Sequence, residues 1–338
     1  MSAVLIPAAD LEACREMIRT GSLSFHAASK ALPARVRDPA LALYAFCRVA
    51  DDEVDEGSDK IAAVLRLRDR LDAIYQGRPR NAPSDRAFAA VVAGFDMPRA
   101  LPEALLEGLA WDSLGRRYDD LSALKDYSAR VASSVGAMMC VLMRVRDADA
   151  LARACDLGLA MQLTNIARDV GEDARAGRLF LPLDWMAAAG VGPEAFLANP
   201  TATADIRDMT ARLLWEAEAL YSRAATGVRR LPMDCRLAIH TAGHVYAAIG
   251  TEVARAGYDS ITRRARTSAR QKLGWLAVSA LQTAALAIAP QSARLHAPPE
   301  PEVAFLVHAA ARARPGPARS EALLRVLAQL EARDRGMI

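Results

Sequence analysis

Apolar residues recur at helical spacing along almost the whole chain, and no segment sustains the alternation of a half-buried strand. That pattern confines the fold to helices packed on helices. Of 338 residues, 52% are apolar and only 5% aromatic, so Ala and Leu carry the apolar content and favour close helix approach. No loop rich in Pro, Gly or Asn is long enough to demand a boundary, so one all-α domain over 1–338 is expected. Asp38-Pro39 reads as a helix start, with Asp as N-cap, running to about Glu56 and stopped by Gly57. Its Leu41, Leu43, Tyr44, Phe46 and Val49 point all round, which predicts a buried helix. A second long helix begins near Asp149 and stops near Gly177. Further helices are predicted at 10–19, 60–75, 101–116, 123–145, 203–226, 234–256, 269–288 and 319–334, with loops near 77–84, 187–200 and 290–302.

Several function classes fall away. A net charge of +3 is too small to argue a nucleic-acid partner. The five cysteines are scattered without a CxxC pair, so neither a disulfide framework nor a structural zinc site is expected, and a reducing cytoplasm fits. The start, "MSAVLIPAADLEACREMI", lacks a basic region and predicts no signal peptide. The uncharged run "LGWLAVSALQTAALAIAP" (273–290) has about the minimum spanning length, but Ser279, Gln282 and Thr283 interrupt it and a core helix is expected. The basic string before it (Arg263, Arg264, Arg266, Arg270, Lys272) leaves room for docking on an anionic leaflet. His240 and His244 have a zinc-like spacing, but Thr241 stands where HExxH has its Glu, so core histidines are expected.

Two acidic helix ends carry the chemistry. "RVADDEVDEG" (48–57) packs Asp51, Asp52, Glu53, Asp55 and Glu56 behind an apolar run. Asp51 and Asp55 are four apart and share a face. In "NIARDVGED", Asn165, Asp169 and Asp173 form one stripe with the same spacing. A solvated helix end is the plain alternative for either cluster alone. Energetics count against it for the pair: acids at a helix C-terminus oppose the macrodipole. Two partly buried carboxylates ~6 Å apart repel by about 3 kcal/mol at an effective dielectric of ~20. A divalent cation reverses that sign, and hard oxygen donors suit Mg²⁺ or Mn²⁺ together with substrate phosphates. Arg48 and Arg168 beside the clusters can pair the aspartates or bind phosphate. The combination points to a diphosphate with a hydrocarbon tail.

At these residues the chain resembles bacterial phytoene synthases, within the squalene and phytoene synthase family. The resemblance is carried by "SLSFHAASKALPARVRDPALALYAFCRVADDEVDEG" (22–57), "LAWDSLGRRYDDLSALKDYSARVASSVGAMM" (109–139), "LGLAMQLTNIARDVGEDARAGRLFLPLDWM" (157–186) and "LPMDCRLAIHTAGHVYAAIGTEVARAGYDSITRRARTSARQKL" (231–273). It implies an all-α isoprenoid-synthase helical bundle with a central active-site cavity. It also implies head-to-head coupling of two prenyl diphosphates with Mg²⁺ or Mn²⁺, in a cluster of two or three ions. Asp51, Asp52 and Asp55 match the first aspartate motif, and Asn165, Asp169 and Asp173 the second. Arg48, Arg168 and Arg263 match diphosphate contacts, and Ser22, Ser24 and Phe25 the flap over one diphosphate. Tyr127, Gln162 and Tyr246 match polar groups lining the cavity. Three departures, Arg130 and Ser133 in "YSARVASSVG" and Ala50 in "VADDEVDEG", bear on cavity shape.

The activity implied is 15-cis-phytoene synthesis from two geranylgeranyl diphosphates through a cyclopropyl diphosphate, without NADPH, the first committed step of carotenoid synthesis. Related alternatives are a synthase of squalene or dehydrosqualene type acting on farnesyl diphosphate, and a non-catalytic assembly factor. Peripheral contact with the inner face of the membrane, and with neighbouring isoprenoid-pathway enzymes, is expected.

Overall fold

The computed structural model describes residues 6–21, 29–55, 60–285 and 291–311, with the backbone alone at 20, 21, 51, 54, 55, 60 and 61. Among these residues every regular element is helical. In chain order they are α1 (Ala8–Gly21), α2 (Ala34–Asp55), α3 (Lys60–Tyr75), α4 (Pro83–Phe95), α5 (Ala100–Ser113), α6 (Leu121–Ser128), a π-helical turn (Ala129–Ser133) and α7 (Ser134–Leu142). There follow α8 (Ala148–Arg175), α9 (Leu183–Ala188), α10 (Pro193–Ala198), α11 (Ala204–Gly227), α12 (Met233–Arg255), α13 (Ala269–Ala285) and α14 (Ala304–Ala311).

The 28-residue α8 is the axis of the bundle, packing on α7, α11, α12, α14 and the π turn. Its start is set by Asp147, whose carboxylate accepts from the Ala150 amide at 2.9 Å. Gly177 ends the segment at φ 75°, a left-handed conformation that glycine adopts freely. Leu151, Cys155, Leu159, Leu163 and Ala167 are fully buried at four-residue spacing, forming the face that packs. Gly158 lets the π turn lie against α8: a Cβ there would meet the Ser133 Cα at 2.5 Å. The Ser133 hydroxyl seals this contact by donating to the Cys155 carbonyl at 2.7 Å.

Behind α2, residues Phe46 and Phe88 stack with centroids 4.3 Å apart, fixing α2 against α4. Beyond α13, a short segment is latched to the bundle by buried charge. Arg153 and Asp156 on α8 are fully buried and paired at 2.7 Å, and Arg223 of α11 reaches the same carboxylate at 3.0 Å. The Arg153 guanidinium also donates to the Arg294 carbonyl at 2.5 Å, while Arg223 pairs with Glu300 at 3.0 Å.

Three expectations change. Helix α2 starts at Ala34 rather than Asp38, because the Pro33 carbonyl already accepts from the Val36 and Arg37 amides. Pro39 therefore sits inside the helix, where it forgoes one bond to the Arg35 carbonyl. Helix α4 was not expected, although Pro83 at the first turn and buried Phe88, Val91, Val92 and Phe95 mark it. Helix α13 is not a core helix: Ser279 is its one buried residue. The predicted helix at 319–334 lies outside the described residues, and α14 closes the described chain, packed on α8.

Candidate active site

The half-buried positions of α8 form a stripe that is neither packed away nor at the outer surface. Gln162, Asn165, Arg168, Asp169 and Asp173 all lie on it. On α2 the corresponding stripe runs through half-buried Tyr44 and Cys47 to Arg48. Helix α12 faces both. The half-buried Tyr246 phenol is pushed up by burial, lowered by the nearby Arg168 guanidinium of α8, and raised by the Tyr44 phenol of α2. One side chain thus lies within electrostatic reach of both acid-bearing helices. At their starts α2 and α12 are tied by Arg35 and Asp234 at 2.7 Å.

The first acidic cluster divides its labour. Asp52 pairs with Arg48 one turn back at 2.6 Å. Glu53 turns away to Arg70, which also grips the fully buried Asp85. Glu53 therefore anchors the end of α2 to α3 and α4. Asp51 and Asp55 continue the helix, and their side chains lie outside the described residues, as do Ser22, Ser24 and Phe25.

The second cluster is held by arginine. Asp169 accepts from Arg168 Nε at 2.8 Å and from Arg264 Nε at 2.8 Å. Burial would raise its carboxyl, but the two guanidiniums outweigh it and hold the group below the usual carboxylate range. Asp173 pairs with Arg178 at 2.8 Å. There burial wins, aided by Asp169 and Glu172, and the carboxyl lies above its usual range. Arg264 makes ion pairs with Asp169 and with Glu172 at 3.0 Å, and Arg263 beside it, expected as a diphosphate contact, is exposed.

Arg264 is placed by a contact that sequence reasoning missed. Gly171, between the two aspartates, donates its amide to the Ser260 carbonyl at 3.0 Å. A Cβ there would meet the Ile261 Cα at 2.7 Å, so only glycine lets the 258–264 loop lie on α8. Arg175 fastens the same loop through the Ile261 carbonyl at 2.5 Å. Glycine between two motif aspartates was the available signal.

Tyr127 lies within electrostatic reach of Asp173. Its hydroxyl donates to Asp112 at 2.8 Å, its ring stacks on Phe180 at 5.3 Å, and the Tyr118 ring lies tilted against it at 5.2 Å. Burial holds the phenol protonated, well above its usual range, with the Asp112 and Asp173 charges adding to the effect. A small recess follows, lined by Ile166, Val170, Asp173, Arg178 and Phe180. Arg130 does not enter this region. It pairs with Glu107 at 3.1 Å and lies over Trp111 at 4.3 Å, on the side of α5. The departures Arg130 and Ser133 are thus packing residues.

Among the described residues no three His, Cys, Asp or Glu side chains converge as a closed metal cage. The donor set suits a cation that shares its shell with phosphate: carboxylates a turn apart, with arginines beside them.

An all-α bundle with acid-tipped helices facing shared polar groups defines the isoprenoid-synthase class. A structural likeness supports this: a crystal structure of a dehydrosqualene synthase in complex with ligand superposes with a TM-score of 0.75 at 31% identity, covering 82% of this chain and 97% of that one. The squalene/phytoene synthase family model matches residues 18–271. Phytoene synthase of Rhodobacter capsulatus is 68% identical over 336 residues, 98% of this chain and 99% of that protein. Phytoene synthase of Cereibacter sphaeroides is 66% identical over 341 residues, 98% and 96% of the two chains. The chain belongs to the squalene/phytoene synthase family.

Proposed function

We propose that this protein is a 15-cis-phytoene synthase, a prenyltransferase that joins two geranylgeranyl diphosphates head to head through a cyclopropyl diphosphate. The reading is supported above all by two curated phytoene synthases that match at 66–68% identity over nearly the whole chain.

Asp51, Asp52 and Asp55 on α2, with Asn165, Asp169 and Asp173 on α8, would hold Mg²⁺ or Mn²⁺. The bound ions supply charge to stabilise a departing diphosphate. Arg48, Arg168 and Arg264 then exchange part of their hold on aspartate for phosphate oxygens, which are bidentate partners of the same geometry. Arg263, with Ser22, Ser24 and Phe25, completes the proposed diphosphate contacts. Gln162, Tyr127 and Tyr246 line the region of the reacting carbons. Tyr127 stays protonated and pinned to Asp112, so it orients without donating its proton to the reaction. The surrounding apolar helices exclude water from cationic intermediates. No reductant is required to finish the product, so no NADPH is assigned. One catalytic unit over 1–338 is proposed.

The hydrocarbon product does not dissolve in water. Peripheral contact with a membrane from the cytoplasmic side, and with enzymes that supply or consume these lipids, belongs to the same proposal. No helix among the described residues is long and apolar enough to cross a membrane.

The test offers purified protein geranylgeranyl and farnesyl diphosphates separately with Mg²⁺ and identifies the hydrocarbon by mass. A forty-carbon triene-centred product from the first is expected. Product from farnesyl diphosphate alone would replace this reading with the fifteen-carbon one.

A further inference from the structure

Helix α13 is built inside out. Toward α12 it turns polar groups and one indole. The buried Ser279 hydroxyl meets His244 Nδ1 at 2.7 Å, Trp275 stacks on the His244 ring at 5.5 Å, and Gln271 donates to Glu252 at 2.7 Å. The opposite side is apolar: Leu273 is 67% exposed and Leu281 74%, with exposed Ala277, Ala280 and Ala284 on the same face. Leu276 and Val278 flank it and are also exposed. No charged side chain interrupts the helix from Leu273 to Ala285. A helix on a water-facing surface carries the reverse arrangement.

The chain on either side of this helix is basic. Between Asp259 and Glu300 there is no acidic residue, while Arg263, Arg264, Arg266, Arg270 and Lys272 precede the apolar face and Arg294 follows it. Arg266 and Arg270 are exposed.

We infer that α13 is a membrane-docking helix, lying in the interface of an anionic bilayer with Leu273, Leu281 and the alanines between them in the acyl boundary and Arg266 and Arg270 on the headgroups. This deepens the peripheral membrane contact proposed above by naming its surface. The helix spans 17 residues, about 25 Å at 1.5 Å per residue, and suits the plane of the interface rather than a crossing. A lipid leaflet fits better than a second copy of the chain. Two copies meeting through this face bring the exposed Arg266 and Arg270 of each chain together as like charges, whereas anionic headgroups supply the opposite charge. The same loop that carries the basic string carries Arg264, which sets the docking surface beside the second aspartate row.

The experiment is flotation of the full-length protein with phosphatidylcholine vesicles, with and without about one third phosphatidylglycerol. Turnover in detergent micelles is measured in parallel. Binding to the anionic vesicles that weakens with salt is expected. The Leu273→Glu, Leu281→Glu double variant lowers the partition coefficient at least about tenfold, and Arg266→Glu with Arg270→Glu abolishes the preference for anionic lipid. Micellar turnover stays within about twofold for both, which separates failure of docking from failure of the catalytic reading. Unchanged vesicle binding in the leucine variant overturns the proposal. If that variant instead shifts from dimer to monomer, the face belongs to a second copy. If it only loses thermal stability, the face is covered by the rest of the chain.

Discussion

Arg264 donates from Nε to the Asp169 carboxylate at 2.8 Å, across a separation of 95 residues. The pair joins the loop after α12 to the second aspartate row. In Arg264→Ala, Asp169 keeps Arg168 but loses its second guanidinium, and a proposed phosphate partner disappears. The expected result is a fall of about ten- to a hundredfold in kcat/KM, carried mainly by KM for the prenyl diphosphate. Chemical unfolding should change little, because the Arg264 side chain is 43% exposed. Equal loss in kcat and stability would mark the arginine as structural.

Gly171→Ala tests how that arginine is positioned. The added methyl meets the Ile261 backbone, so the loop shifts or α8 does. Destabilisation of about 1–3 kcal/mol is expected, together with a further loss of activity at saturating Mg²⁺. Urea unfolding and steady-state kinetics on the same preparation read both.

How much of this was legible in sequence depended on which partner a residue needed. The α8 stripe was readable because Asn165, Asp169 and Asp173 define each other by local spacing. The role of Gly171 was not, since its partner, Ile261, is distant in sequence. The apolar run 273–290 showed a helix but not its environment, because periodicity does not say whether a neighbour covers a face. Within the acidic run, Asp51, Asp52 and Asp55 were readable as a motif, but the role of Glu53 was not, because its partner Arg70 is placed by Asp85 of α4. Pro83 and the apolar spacing after it mark helix α4, but the Pro- and Asn-rich stretch before it runs into its first turn and masks the start. Asp38 looked like an N-cap until Pro33 supplied the first accepting carbonyl.

Acid should unfold the protein partly through α12. Burial and the neighbouring His244 hold His240 at a pKa of about 4, against 6.5 for free imidazole. The unfolded chain therefore takes up a proton between these values that the folded chain refuses. Stability present above about pH 6.5 is lost as pH falls toward 4, by about 3 kcal/mol from this 7% exposed residue. His240→Leu should flatten unfolding free energies measured between about pH 4.5 and 7. The shift at His244, also lowered by burial, leaves a smaller slope of the same sign.

The buried latch on residues 291–303 predicts a large stability effect without a catalytic one. Arg153→Ala leaves Asp156 fully buried with Arg223 alone, and it frees carbonyls of the latched segment. A loss of about 3–5 kcal/mol is expected by urea unfolding. The double variant Arg153→Met, Asp156→Leu should recover much of it, since the uncompensated charge is then gone.

The central claim is that the acid rows of α2 and α8 act together on one set of cations and one diphosphate. Mn²⁺ electron paramagnetic resonance, with a non-ionising thio-analogue of geranylgeranyl diphosphate bound, tests it most directly. Spin-coupled Mn²⁺ is predicted in the parent, and its loss in both Asp51→Asn and Asp169→Asn while circular dichroism stays unchanged. Coupled Mn²⁺ that survives substitution of either row would contradict the account.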